Sequence, residues 1–199
     1  MTKTIDYYFM PISPWAYLGG PRFAAMAKAH GARVNVKRVD YGRIFPASGG
    51  LPLAKRAPQR QAYRLVELRR WRDHLGMKLN LQPKHFPVPG DQASGLIIAA
   101  DRRGLDALAL TQAVMTAVWT EDRDISADDT LTAIAAACSM DGRSLLAAAN
   151  TPESKAVFDG YTQEAMDRQV FGAPSYVVDG EIFWGLDRLY FLERKLSRG

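Results

Sequence analysis

The stretch TIDYYFMPISPWAYL, residues 4–18, decides the fold of this chain, because a strand passes directly into a helix there. Residues 4–10 are rich in β-branched and aromatic side chains, which predicts a strand. Ser13 then precedes a proline, the usual arrangement of a helix N-cap followed by an N1 proline. The free amide groups of a helix N-terminus also favour an anion, which a serine hydroxyl can contact. Local sequence leaves capping and ligand binding both open for Ser13.

The pattern continues as an α/β domain on both sides of a long helical region. Residues 14–31 have helical spacing and residues 33–41 alternate as a second strand, which completes a βαβ unit with parallel strands. A loop punctuated by glycine and proline is predicted over 42–58, and loops of that length tend to be functional. After a mainly helical stretch, 92–170, the Asp179-Gly180 dipeptide predicts a β-hairpin, and a closing helix is predicted over 186–196.

Residues 59–75 predict an amphipathic helix, with Tyr63, Val66, Leu68 and Trp71 near one face. The rest of its surface carries Arg60, Arg64, Arg69, Arg70 and Arg72. Without a recognised nucleic-acid motif, these arginines are better interpreted as a solvated helix face than as a nucleic-acid surface.

Composition limits the classes of function. The 199 residues fit one domain with an insertion, and 26 basic against 21 acidic residues give a net charge of +5. This small excess suits small anionic ligands but does not by itself indicate nucleic acid. Cys138 is the only cysteine, so disulfides and cysteine-rich metal sites are excluded, and the scattered histidines predict no metal. No signal peptide or bilayer-spanning segment is evident, and we expect a cytoplasmic protein without a membrane partner.

Three other positions have both a structural and a functional interpretation. The Ala173–Pro174 bond, directly before a strand, is a candidate cis peptide, although a proline at a strand start is the simpler explanation. Asp187 can cap the last helix or bind a ligand. Cys138 lies in an apolar helical stretch, which favours a buried, inert thiol over a nucleophile.

Ser13-Pro14, Ala173-Pro174 and FWGLDRLYFLE, residues 183–193, flank a helical insertion in this order. In this arrangement the whole chain resembles the 2-hydroxychromene-2-carboxylate isomerases. These belong to the DsbA-like branch of the thioredoxin superfamily, with kappa-class glutathione transferases as near relatives.

The resemblance implies an α/β, thioredoxin-like fold with a large helical insertion. The thioredoxin-like domain would be discontinuous, formed by residues 1–42 and 171–199. Residues 43–170 would form the connecting loop and the helical insertion domain.

The resemblance also implies a cofactor. Thioredoxin-like oxidoreductases have Cys-x-x-Cys where this chain has residues 13–16, Ser-Pro-Trp-Ala, so dithiol exchange is chemically impossible there. In the resembling family the serine faces the thiol of bound glutathione instead. Ser13 and the helix N-terminus would then favour the thiolate, just as a helix N-terminus lowers the pKa of a cysteine at such a position.

Other family contacts are implied position by position. The Ala173 backbone, before the presumed cis Pro174, would pair with the cysteinyl part of glutathione. Leu186 and Asp187 would hold the γ-glutamyl end, and Arg60 would reach a carboxylate. Two departures weaken the match, because Ala54 replaces a family asparagine and Leu186 replaces a polar residue.

The implied substrate is a small aromatic carboxylate. Its predicted pocket residues are Trp15, Tyr41, Phe45, Lys55 and Phe86. Lys55 or Arg56 could meet the carboxylate, whereas core packing explains Trp119 at least as well as a place in the pocket.

The implied reaction interconverts 2-hydroxychromene-2-carboxylate and trans-o-hydroxybenzylidenepyruvate in aromatic-compound degradation, by reversible addition of glutathione thiolate. A kappa-class-like transferase or peroxidase using the same thiolate is an alternative. So is a non-catalytic thioredoxin-like binding module, although Ser13, Pro174 and Asp187 together argue against it. A homodimer is compatible with the resemblance.

Overall fold

A computed structural model describes residues 2–198. Within these residues, four strands form one mixed sheet with the order β2-β1-β3-β4, accompanied by nine α-helices and two 3-10 turns. The elements are β1 Thr4–Phe9, α1 Pro14–Ala29, β2 Arg33–Arg38, α2 Tyr41–Ser48, a 3-10 turn Leu53–Lys55, α3 Pro58–Leu75, α4 Asp91–Arg102, α5 Ala107–Trp119, α6 Asp128–Ala137, α7 Gly142–Ala149, α8 Pro152–Asp167, β3 Ser175–Val178, β4 Glu181–Trp184, a 3-10 turn Leu186–Arg188 and α9 Leu189–Ser197. The predicted α/β fold with a helical insertion between β2 and β3 is confirmed, and the exact domain boundaries stay a prediction.

The sheet brings distant segments together at one edge. β1 runs parallel to β2, and β3 runs antiparallel to β1 with Ser175 opposite Tyr8. β4 runs antiparallel to β3 with Trp184 opposite Ser175. The C-terminal ends of β1 and β4 therefore lie beside the N-terminal end of β3. We call this end of the sheet, where β1 ends, the β1 edge, although β1 itself is a central strand.

Helix α1 continues through Pro21, although the proline has no N–H to donate to Tyr17 O. The side-chain amide of Gln112, on α5, donates to that carbonyl at 3.3 Å. A Cβ on Gly20 would collide with the Gln112 amide, so the glycine makes room for this bond. Gly20 and Pro21, which interrupt the helical sequence pattern of α1, thus mark its contact with α5.

Ile5 through Phe9 of β1 are buried on both faces, which agrees with a sequence that is apolar there except for Asp6. On one face Tyr7 stacks on Phe9 with ring centroids 4.9 Å apart and on Tyr176 at 5.3 Å. On the other face Tyr8 joins a smaller apolar cluster that includes Tyr41. The two clusters clamp β1, and with it the chain segment that leads to Ser13.

Two predictions of local structure were wrong. The predicted loop 42–58 contains most of α2, which Asp40 caps by accepting from Gly42 N–H at 2.8 Å, and the first 3-10 turn. On α3 the predicted inward residues Tyr63 and Val66 are exposed, by 58% and 37% respectively. The side of α3 turned toward the core carries Gln61, Arg64, Leu68, Trp71 and Leu75. Residues spaced three or four positions apart lie on one face of a helix, and the four residues predicted from the sequence to share a face do not keep this spacing.

None of the helices in residues 2–198 combines the length and hydropathy needed to cross a bilayer.

Candidate functional site

Ser13 lies at the β1 edge, where the chain turns from β1 into α1. It is 5% exposed, and its N–H donates to Met10 O at 3.1 Å. Its Oγ accepts from Ala16 N–H at 3.2 Å, so the predicted N-cap is confirmed. Because Oγ acts as the acceptor in this bond, the hydroxyl proton stays available for donation to a ligand.

The first turn of α1 has a second donor. Pro14 has no N–H, and Tyr17 N–H already donates to Ser13 O at 3.0 Å. Trp15 N–H bonds no backbone oxygen in the described part of the chain. The Ser13 hydroxyl and the Trp15 amide therefore stand at the positive end of a 16-residue helix, an arrangement that favours an anion.

The Ala173–Pro174 loop lies beside this helix end, because β3 begins opposite the end of β1. The bond is cis, as the resemblance implied. Tyr41 Oη donates to Gly172 O at 2.7 Å and Gly185 N–H donates to Pro174 O at 2.9 Å, so both flanks of the loop are held. Within residues 2–198 no backbone group pairs with Ala173 N–H or C=O. These two groups are free for an extended peptide ligand.

The turn Leu186–Arg188 reaches the same edge directly after β4. Leu186 is buried against Gly19 of α1, so only its backbone is available to a ligand. Asp187 is half exposed, and its carboxylate accepts from Arg188 at 2.6 Å. The interpretation of Asp187 as a helix cap was wrong, because α9 begins at Leu189 without a side-chain cap. Its carboxylate is instead presented to solvent beside the β1 edge.

A basic cluster surrounds the start of α3. Arg60 is exposed on α3, Arg56 is half-buried just before it, and Lys55 and Ala54 are exposed on the preceding 3-10 turn. Burial and the charge of Arg60 lower the pKa of Arg56. Among residues 2–198 no carboxylate lies within 4.0 Å of either arginine. The cluster can therefore accept a carboxylate from a ligand.

The predicted aromatic pocket is divided between the two core clusters. Trp15 and Phe86 pack against the larger cluster, and Phe86 lies 4.9 Å from the fully buried Trp119. Phe45 packs on Tyr41 at 5.3 Å in the smaller cluster. The Tyr41 hydroxyl is already bonded to the Ala173–Pro174 loop, so Tyr41 positions that loop.

Sequence reasoning missed an aromatic pair that flanks Ala173. Phe171 and Trp184 meet edge to face with centroids 4.9 Å apart, and both are half exposed. Gly172 admits the Trp184 indole, because a Cβ there would collide with it. The sequence signal that could have predicted this pair is the position of the two residues, because Phe171 begins the FGAP segment and Trp184 ends the predicted hairpin.

Other reactive groups and cavities lie away from this edge. Cys138 is half-buried rather than buried as predicted, and burial and the charge of Asp106 raise its pKa, which agrees with the expectation of an inert thiol. The described residues contain no group of metal-ligating side chains. A groove of about 880 Å³ between α1 and α5 contains none of the predicted site residues.

Comparison with known proteins agrees with the fold and the sequence motifs. A family model described as DSBA-like thioredoxin domain matches residues 4–197. The 2-hydroxychromene-2-carboxylate isomerase of Sphingobium xenophagum is 30% identical over 98% of this chain and 99% of its own length. The enzyme of that name from Pseudomonas putida is 25% identical over 98% of this chain and 94% of its own. A solved 2-hydroxychromene-2-carboxylate isomerase structure superposes with a TM-score of 0.80 at 24% identity, covering 98% of this chain and 95% of that one. The chain therefore belongs to the DSBA-like thioredoxin domain family and, within it, to the 2-hydroxychromene-2-carboxylate isomerases.

Proposed function

We propose that this protein is a glutathione-dependent isomerase that interconverts 2-hydroxychromene-2-carboxylate and trans-o-hydroxybenzylidenepyruvate. The names of its full-length relatives support the isomerase. The observation that carries the glutathione dependence is the convergence of unpaired groups at the β1 edge. Ser13 O–H and Trp15 N–H lie at a helix N-terminus, and the unpaired Ala173 backbone lies beside the end of β1. Residues 13–16 contain no cysteine, so a thiolate at this position would have to be supplied by a ligand.

Several polar groups of glutathione would have a matching partner. The thiolate would accept from Ser13 and Trp15, and the cysteinyl backbone would pair with Ala173. The γ-glutamyl ammonium would meet the half-exposed Asp187 carboxylate, and Arg60 would hold a carboxylate. When bound, glutathione supplies a thiolate that adds reversibly to the conjugated substrate, so that the bond order falls and rotation becomes possible. The protein's part is to lower the pKa of that thiol and to orient both ligands.

The test is isomerisation of trans-o-hydroxybenzylidenepyruvate, followed by its ultraviolet absorbance, with and without glutathione. We expect turnover only with glutathione, and none with S-methylglutathione, which offers the same contacts but no thiol. Calorimetric titration with both tripeptides should show binding. Equal rates with and without glutathione, or no binding of either tripeptide, would refute the proposal.

The same assay separates the two alternatives. An isomerase leaves the glutathione concentration unchanged over many turnovers, whereas a transferase or peroxidase consumes glutathione in proportion to product. A binding module would give no turnover at all. Free thiol, titrated at the end of the reaction, distinguishes these outcomes.

A further inference from the structure

Arg64 occupies a position on α3 that normally belongs to an apolar residue. It lies on the inward side of the helix, one turn before the fully buried Leu68. Its guanidinium lies 5.5 Å from the Phe86 ring centroid and 5.9 Å from that of Trp119. A cation held against two aromatic faces gains from both rings, but its N–H groups still need acceptors at their edges.

None of the described residues meets that need with an acceptor. Within residues 2–198, no carboxylate lies within 4.0 Å of Arg64, and its guanidinium donates to no side chain or carbonyl. Arg38 also packs on an aromatic ring, 4.0 Å over Phe158, but it has a carboxylate partner, since its Nη2 donates to Asp91 at 3.2 Å, although its buried Nε and Nη1 have no partner among residues 2–198. The Arg64 nitrogens are not among the buried unpaired atoms of the described residues, so their N–H groups remain accessible to a ligand.

The surroundings of Arg64 strengthen this assignment. Burial and the neighbouring charge of Arg56 lower the pKa of Arg64 to about 10, so it stays protonated at neutral pH and an anion would relieve the repulsion. Trp119 Nε1 is also buried and has no acceptor among residues 2–198. Arg64 beside Phe86 thus combines a cation with an aromatic ring, a combination suited to a planar aryl acid.

We propose that Arg64 determines substrate specificity by binding the carboxylate of a planar, conjugated aromatic acid that packs against Phe86. The proposal names the substrate subsite of the isomerase and in that respect rests on the proposed function. It leaves Arg60, four residues earlier and exposed, for the carboxylate of glutathione. It also departs from the sequence-based expectation, which assigned the substrate carboxylate to Lys55 or Arg56.

The test compares trans-cinnamate with its neutral amide, trans-cinnamamide, by calorimetric titration. We expect Arg64→Leu to weaken cinnamate binding about 10- to 150-fold, the range for hydrogen bonds to charged groups, and to leave cinnamamide nearly unchanged. Arg64→Lys, which keeps the charge but loses the planar fork, should fall between. Arg69→Leu removes one exposed charge from the same helix and should match the wild type.

Three results would overturn the assignment: wild-type protein that does not bind cinnamate, an Arg64→Leu variant with wild-type cinnamate affinity, or equal losses for the acid and the amide. Circular dichroism establishes that each variant is folded, and Arg64→Lys carries the test if the leucine variant is not. Glutathione titration of the wild type reports on the proposed function separately. Arg64-dependent cinnamate binding without glutathione binding would refute the glutathione proposal and support the carboxylate subsite. Glutathione binding without Arg64-dependent cinnamate binding would support the glutathione proposal and refute the carboxylate subsite.

Discussion

Replacing Ser13 with alanine should raise the pKa of the thiol of bound glutathione by about one to two units. The change removes one hydroxyl donor to a charged group, a bond worth about 1.5–3 kcal/mol, and each pKa unit corresponds to about 1.4 kcal/mol. Trp15 N–H and the helix N-terminus remain, so the shift should be partial. The acid limb of the pH profile of kcat/KM should move upward by the same amount, because less thiolate is present at a given pH.

Alanine also removes the cap acceptor of Ala16 N–H, which should destabilise the fold by about 0.5–2 kcal/mol. Glycine is a tolerable N-cap and costs only about a few tenths of a kcal/mol there. Ser13→Gly should therefore show the same rise in thiol pKa with a smaller loss of stability. The two variants separate the role of Ser13 in the helix from its contact with the thiolate.

The assay is thiolate absorbance in the ultraviolet, titrated against pH for glutathione complexes of the wild type and both variants. Thermal unfolding of the same samples measures the cap. Superimposable titration curves would refute the thiolate contact, even if both variants lost activity. A pKa rise in the alanine variant alone would instead indicate that helix disruption, rather than the lost donor, caused it.

The other contacts of the edge and the sheet yield three further predictions. Asp187→Asn should weaken glutathione binding, measured by calorimetry, about tenfold, which is the low end of the range for a hydrogen bond to a charged group because Asp187 is half exposed. As the control, a glutathione with an acylated amine should bind the wild type and the variant equally. Gly19→Ala should destabilise the fold by about 1–3 kcal/mol in chemical unfolding, because its Cβ would lie 2.9 Å from Leu186 Cβ. Gly160→Ala, on a helix with open space around it, should instead stabilise by about 0.5–1 kcal/mol. Burial alone would raise the pKa of Asp6, but its hydrogen bonds and the nearby positive charges outweigh burial and lower this pKa. The stability that Asp6 contributes to the fold is therefore present above about pH 4 and is lost as the pH falls through the lowered pKa. Asp6→Asn should flatten this acid loss of stability, and an unchanged slope would contradict the assignment.

Local patterns predicted the elements whose determinants are adjacent in the chain. Ser13 and Pro14 mark the start of α1, Asp179-Gly180 joins β3 to β4, and α3 begins one residue before its predicted start. Each depends on capping or turn chemistry that spans only a few residues. The α2 helix was missed because Pro46 and the following glycines suggested a loop, although Asp40 and Gly49 supply the caps of a short helix.

The orientation of α3 depends on residues far away in the sequence. Its apolar Tyr63 and Val66 were expected to face the core, yet Arg64 turns inward because Phe86 and Trp119 offer it aromatic faces. Neither ring is a neighbour in sequence, so no local period contains this information. The convergence at the β1 edge likewise follows from strand register, which pairs residues more than 160 positions apart.

The charge of the two proposed ligands explains why the site needs separate cations. Glutathione carries two carboxylates, one ammonium and, at its reactive point, a thiolate, and the aromatic acid adds another carboxylate. In the proposed complex Asp187 would balance the ammonium, so the remaining negative charges would depend on the α1 N-terminus and on Arg56, Arg60 and Arg64. If Arg64 compensates the repulsion between the two ligands, its loss should be felt most when both are present. We therefore expect Arg64→Leu to weaken cinnamate binding more in saturating glutathione than in its absence, and equal losses under the two conditions would show that the ligands do not share this charge balance.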